Sequence, residues 1–277
     1  MQYGHYTTAN ALISIILNEQ LWATNIKFLN DEQEFLHAIV LAKEVIKSST
    51  EKADKFKANR SAYDDFTKEV TKALDNLDTY HAESIFTCSF SEEKDLLSQW
   101  RGYCPNNQGY CIHFDLAGLL KAAKEKFTSC EIFPCVYDNT EKKKRISAAL
   151  NDHWKKFITL TDSKKREQEI RVLAYEIERL ASYFKHPSFA EEKEHRLVIR
   201  LAWDIEEHAR FRAGPMSIIP FLEVPAPKAL IKEIGIGPTR DQTLARRGLA
   251  ALIEFKFGTL ASFGDVKLSE SKIPYRL

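Results

Sequence analysis

Strand-like and helical stretches that follow one another without regular strand–helix–strand alternation predict an α+β fold for this chain of 277 residues. Two further observations support that class. Stretches of period-two alternation lie on both sides of a long run, Asn139–Lys185, and that run is charged, helical in pattern and free of glycine and proline. No internal repeat and no low-complexity linker interrupts the chain. We therefore expect a single domain over residues 1–277, with a helical insertion at about 139–185 between sheet-forming halves.

The elements follow in order. Tyr3–Thr7 is a short aromatic strand, and Thr8 caps a helix whose Leu12, Ile13, Ile16 and Leu17 share one face. Leu21–Thr24 reads as a strand. Asn30 opens a helix to about Lys47, with Asp31 and Glu32 in its positive first turn and Gln33 at the capping-box position. A second helix runs from about Ala62 to Leu77, carrying Phe66, Val70 and Leu74 four residues apart. In the strand Ser84–Ser91, Phe86, Cys88 and Phe90 point one way, and Thr87, Ser89 and Ser91 the other. A short helix, Lys94–Tyr103, leads through a turn at Pro105–Gly109 to the strand Gly109–Asp115. Asp115 caps a helix ending near Phe127, and Glu131–Tyr137 returns as a strand. Within the helical run, Leu173, Ile177 and Leu180 form one apolar stripe. The strands His195–Leu201, Met216–Val224 and Ala229–Ile236 come next, then a break at Gly237-Pro238, a helix Arg240–Glu254 and a closing strand Val266–Leu268.

Composition narrows the function classes. Hydrophobic residues at 44% and charged residues at 29% are ordinary for a globular protein. Forty basic and thirty-nine acidic residues give a formal charge of +1, so no global field draws the chain to nucleic acid or an anionic membrane. The longest apolar run, around Ala11–Leu17, is too short for a bilayer, and the N-terminus shows no secretory pattern. We expect a soluble cytoplasmic protein. Five cysteines, with no C-x-x-C pair, fit unpaired thiols in a reducing compartment better than a zinc site assembled from Cys104, Cys111, Cys130, Cys135 and His113. We expect no metal. The helical run holds twelve basic and seven acidic residues, a local charge of +5 with basic clusters at Lys142–Arg145 and Lys164–Arg166. It is the place for a nucleic-acid or protein partner to bind, and equally reads as a solvated helix face.

Three constellations are polar where burial is expected. The first is His5-Tyr6-Thr7, on a strand that equally suits a sheet margin. The second pairs Ser89-Phe90-Ser91 with Gln99-Trp100-Arg101-Gly102-Tyr103. There two hydroxyls share a strand face, and a nearby helix offers an indole, a guanidinium and a phenol, groups able to hold a flat heterocycle and a phosphate. A core tryptophan and a helix-terminal arginine are the plainer account. The third is Glu192-Lys193-Glu194-His195-Arg196. Period-two geometry puts Glu192, Glu194 and Arg196 on one side, where two carboxylates and a guanidinium settle their charges jointly. A charged strand end in water has the same composition.

In this order the motifs resemble a bacterial family known as domain of unknown function 2971. The resemblance rests on Leu29-Asn30-Asp31-Glu32-Gln33-Glu34, Ser89–Ser91, Trp100–Tyr103, Gly109–Asp115 and Glu192–Arg196, and covers residues 3–200 best. The layout is also similar to the ADP-ribosyltransferase superfamily, which implies a split mixed or antiparallel sheet and NAD as substrate. By that resemblance His5, Tyr6, Thr7, Ser89, Ser91, Trp100, Arg101 and Tyr103 bind the cofactor, His5 at the adenine-side ribose and Trp100 or Tyr103 near nicotinamide. Glu194 is the carboxylate that supports the oxocarbenium-like transition state, with Glu192 and Arg196 beside it. The resemblance further implies a transferase modifying a macromolecule, as a toxin or in antiviral defence, held by an inhibitory partner protein. Two other classes stay open: a non-enzymatic interaction module binding through the charged helices, and a nucleotide-processing enzyme using Gly235-Ile236-Gly237-Pro238-Thr239-Arg240 at a helix N-terminus. That loop lacks the P-loop lysine pattern and also reads as a simple strand-to-helix turn.

Overall fold

The computed structural model describes residues 2–29, 32–51, 59–80, 85–104, 109–201, 205–214, 216–258 and 266–274. Asn30 and Asp31, read as a helix start, Ser84 at the head of a strand, and residues 105–108 of the expected turn lie outside them. The fold is α+β, with a mixed, open sheet. Its strands are β1 (Tyr3–Thr8), β2 (Gln20–Asn25), β3 (Ile85–Ser91), β4 (Gly109–Phe114), β5 (Cys130–Pro134), β6 (Glu194–Arg200), β7 (Ala209–Ala213), β8 (Ile218–Pro225), β9 (Ile231–Ile236) and β10 (Lys267–Glu270). They lie in the order β10-β9-β4-β1-β3-β2-β8-β7, and β3 also pairs β6, which in turn pairs β5. With three strand partners, β3 is where the sheet forks. The β9–β10 pair is parallel, whereas β1–β4, β4–β9, β5–β6 and β2–β8 are antiparallel.

The chain divides into two compact units: Met1–Thr24 with Phe86–Pro134 and Glu191–Leu277, and Asn25–Ile85 with Cys135–Ala190. The first unit holds the sheet. Its core joins α1 (Ala9–Asn18), α5 (Leu116–Lys126) and α9 (Gln242–Phe257) to one sheet face through Leu12, Ile16, Phe86, Phe90, Phe114, Leu119, Leu197, Ile234 and Ile253. Each helix starts at a side-chain cap, Thr8 accepting from Ala11 N at 3.2 Å, Asp115 from Ala117 N and Asp241 from Leu244 N. The short α4 (Leu97–Tyr103) begins three residues later than its helical pattern suggests, because Lys94 and Asp95 are committed to other partners. The strand β5 ends at Pro134, and Val136 makes only an isolated bridge to Phe184. Two short elements, α8 (Ile205–His208) and β7, carry no periodic signal that a sequence reading picks out.

The second unit consists chiefly of α2 (Glu32–Glu51), α3 (Arg60–Tyr80), α6 (Asn139–Phe157) and α7 (Ser163–Ala181). The charged run is therefore two helices. After Phe157 the backbone turns on Lys156 and Phe157 carbonyls, and Asp162 caps α7 by accepting from Lys165 N. The reason these helices pack together is their single apolar stripe, which is stable only against another helix. Leu173, Ile177 and Leu180 are buried as their spacing predicts. Tyr63 meets Trp154 edge-on at 5.0 Å, and Phe66 lies 4.9 Å from Phe157. Among the described residues no helix is long and apolar enough to cross a membrane.

Candidate functional site

The sheet has one greasy face and one mixed face, and strand alternation sorts the site residues between them. Phe86, Cys88, Phe90, Ile112, Phe114, Leu197, Ile199, Ile234 and Ile236 belong to the main core. Their neighbours along the strands therefore point the other way: Thr87, Ser89 and Ser91 on β3, Glu194 and Arg196 on β6, Cys111 and His113 on β4, Glu233 and Gly235 on β9. On β1 the pairing Gly4↔Ser91 puts Gly4 and Tyr6 on this mixed face and His5 on the core face. His5 indeed lies 5.8 Å from the Phe90 ring, with its Nδ1 3.8 Å from the Cys88 sulfur.

His5 is thus separated by the sheet from the hydroxyls it was expected to join. Its Nδ1 lies 3.0 Å from the carbonyl oxygen of Ser89. A carbonyl only accepts, so Nδ1 carries the proton. Burial pushes the His5 imidazole below its ordinary pKa, against the smaller upward pull of that bond.

Glu194 and Arg196 form a buried ion pair, each side chain 4% exposed, with Arg196 Nε donating to Glu194 Oε1 at 2.6 Å. A second contact, Nη2 to Oε2, is longer at 3.5 Å. Glu192 stands apart from the expected row. It ends a 3-10 segment, Pro187–Glu192, and Lys193 then takes a left-handed backbone with φ of 42° before β6 begins. That conformation is unfavourable for a lysine. It is held by Glu92 N donating to the Lys193 carbonyl at 3.3 Å and by Lys193 Nζ on Glu93 at 2.5 Å. Ser91 ties the two segments: its hydroxyl donates to the Glu192 carbonyl at 2.6 Å and accepts from Glu93 N at 3.0 Å. Ser89 is half-buried beside it. Thr87 is buried, and its hydroxyl has no partner among the described residues.

The aromatic part of the expected site is a small core of its own. Tyr6, Trp100, Cys104 and Cys111 form a second apolar cluster. The Tyr6 ring meets Trp100 edge-on at 4.6 Å; its hydroxyl donates to Glu93 O and accepts from Leu96 N. Burial, more than any neighbouring charge, pushes the Tyr6 phenol well above its ordinary pKa. Trp100 is 2% exposed and donates its indole N–H to Asp95 at 2.7 Å. Thr7 is buried too, its carbonyl accepting from the Cys104 thiol. Arg101 and Tyr103 lie on the exposed side of α4. The structure therefore joins Ser89, Ser91, Glu194 and Arg196 on one sheet face, and packs Trp100 where a flat ligand finds no free ring face.

Residues 99–197 match the family described as Protein of unknown function (DUF2971). The match spans 99 of the 277 residues. The DUF2971 segment starts at Gln99 in α4 and ends at Leu197 on β6, so it includes Trp100, Glu192, Glu194 and Arg196 and stops short of His5, Ser89 and Ser91. No curated protein and no solved structure matches the chain.

The chain also holds polar groups that its sequence does not single out. On the mixed face Glu233 accepts from Lys94 Nζ at 2.7 Å and from the Ser269 hydroxyl at 2.6 Å. Burial pushes the Glu233 carboxyl up, but those two hydrogen bonds and the Lys94 charge outweigh it and hold it below its ordinary value. His113, directly paired with Glu233, is 1% exposed and has no partner for Nδ1 among the described residues. Burial pulls it down to about 4, against an upward pull from Glu233. Gly4 makes room for it, since a Cβ there would stand 2.4 Å from the Cys111 sulfur and 3.0 Å from His113 Cε1. A sequence signal lay in Glu233, a carboxylate in the strand Ile231–Ile236 that alternates with the apolar Ile234 and Ile236.

The two alternative sites look different in three dimensions. Gly237 is packed against the Trp100 ring and bonded to the Gly109 carbonyl, a tight strand-to-helix turn. In the helical unit four members of the basic clusters have partners: Lys142 is buried on the Lys185 carbonyl, Lys143 pairs with Glu44, Arg145 with Glu141, and Arg166 donates to Leu160 O. His153 bridges Glu169 at 2.7 Å and Glu176 at 2.8 Å, pinning α6 to α7. All five cysteines are free and buried, and among the described residues no group of three His, Cys, Asp or Glu side chains is arranged to hold a metal.

Proposed function

We propose that this protein binds NAD and breaks its nicotinamide–ribose bond, as an ADP-ribosyltransferase-like enzyme. The observation that carries the reading is the buried Glu194–Arg196 pair on the same sheet face as Ser89 and Ser91. The fork of the sheet at β3, where β6 joins β1 and β2 as a third partner, supports it. As the glycosidic bond lengthens, nicotinamide departs with the bonding electron pair and positive charge develops on the ribose. Glu194 accepts from the ribose 2′-hydroxyl and stabilises that charge. Arg196 fixes the orientation of the carboxylate, and on this reading Ser89 is the hydroxyl that contacts the substrate. Water, or a nucleophile on a macromolecule, then closes on the ribose and releases a proton. His5 acts behind the face, holding β3 through the Ser89 carbonyl.

The test is nicotinamide release from NAD by purified protein, with candidate acceptors present and absent. E194Q should reduce the rate on the order of 10²-fold or more, and E194D, which keeps the charge, should retain more activity than E194Q. Circular dichroism and the urea midpoint of each variant separate chemistry from unfolding. Wild-type protein that shows no thermal shift with NAD and releases no nicotinamide under any of these conditions rules the reading out.

A further inference from the structure

At the far side of the sheet, β2, β8 and β7 lie side by side with Thr24 opposite Phe221 and Arg212 opposite Ile219. Leu21, Ala23, Leu222 and Val224 point into the main core, so Trp22, Thr24, Ile219, Phe221 and Arg212 share the opposite face. There Trp22 and Phe221 pack with ring centroids 4.4 Å apart, and the Arg212 guanidinium lies over Trp22 at 5.4 Å from its centroid. Arg212 Nη2 donates to the Thr24 hydroxyl at 3.1 Å. Its Nε is buried and has no acceptor among the described residues.

The guanidinium's charge is the unusual feature. Among the described residues no carboxylate pairs with Arg212, although a guanidinium remains charged in any protein. The nearby charges do not supply one. Arg210, on the same strand and face, is turned to the carbonyls of Glu207 and Ala209. Glu223 shares the face but sits opposite Trp22, four residues along β8 from Ile219. Removing a cation from water without a counter-charge is unfavourable, and a neutral hydroxyl and an indole face offset only part of that. Burial accordingly pulls Arg212 below the ordinary arginine pKa.

We infer that Trp22, Thr24 and Arg212 form a binding site for an oxyanion, the carboxylate or phosphate group of a small ligand, with the Arg212 guanidinium as the donor. Such anions present two oxygens to the planar donor edge of arginine and supply the missing charge. Trp22, 38% exposed, offers its indole to the body that carries the anion. The site stands independently of the NAD reading, since it uses none of the residues placed there.

Isothermal titration of the full chain with sodium phosphate and with sodium acetate, at matched ionic strength, tests it. Saturable binding of at least one of the two is expected, and the preference between them identifies the class of ligand. R212M should abolish binding, and R212K, which keeps the charge and loses the fork, should weaken it about tenfold. E194Q should leave it unchanged, so a failed NAD experiment does not count against this site. No saturable binding of either anion to wild-type protein, or equal binding by wild type and R212M, overturns the proposal.

Discussion

Arg196 Nε lies 2.6 Å from Glu194 Oε1 with both side chains almost wholly buried. Neither member has bulk water to fall back on. Truncating the cation in R196M breaks a buried ion pair, and loss of about 3–5 kcal/mol of unfolding free energy is expected. R196K should lose less, because an ammonium still reaches the carboxylate. In a double-mutant cycle with E194Q, the double variant should be less destabilised than the sum of the singles by about 0.5–3 kcal/mol. Urea denaturation measures all four corners. Strictly additive losses would show that the two side chains do not act as a pair.

His113 makes stability depend on pH. Its folded-state pKa of about 4 lies below the ordinary 6.5, so between those values the unfolded chain binds the extra proton. Stability is therefore full above pH 6.5 and falls as the pH drops toward 4. The size of the shift corresponds to roughly 3 kcal/mol over that window. H113L should flatten this part of the profile. Glu233, whose pKa is depressed, acts lower: its contribution is present above its ordinary 4.5 and is lost as pH falls through the folded value. Urea midpoints at half-unit steps of pH decide it, and an unchanged slope in H113L would assign the effect elsewhere.

The thiols should be silent in the folded protein. All five cysteines are buried and free, and burial pushes Cys88 and Cys104 up to about 12 and Cys130 to about 11. The thiolate is the reactive form, so an aromatic disulfide reagent at mildly alkaline pH should modify native protein far more slowly than denatured protein. In denaturant all five should react. Rapid reaction of even one in the native state would mean that its segment opens readily.

Much of the fold was legible because its signals are local. Thr8 and Asp115 cap the helices they were expected to cap, since a cap is a contact over two or three residues. The alternation Phe86, Cys88, Phe90 against Thr87, Ser89, Ser91 is read directly from period two, and the core follows it. The pairing of Glu194 with Arg196 was equally readable, because residues two apart on a strand share a face. The break of the helical run after Phe157 was not, as Thr159 to Thr161 carry no glycine or proline to mark it.

By itself, then, the sequence determined the α+β class, the caps, and which residues within one strand look the same way, all of them properties of a short stretch of chain. Only the tertiary structure decided that His5 turns from Ser91, through the pairing Gly4↔Ser91, and that Lys193 kinks Glu192 off the strand. It also decided that Trp100 closes on Tyr6 and that Arg212 reaches Thr24. Those outcomes depend on register between segments that lie 84 residues apart for His5 and Ser89, and 188 apart for Arg212 and Thr24. A slip of one residue in such a pairing moves every side chain to the other face, and no local period records which register the core will choose.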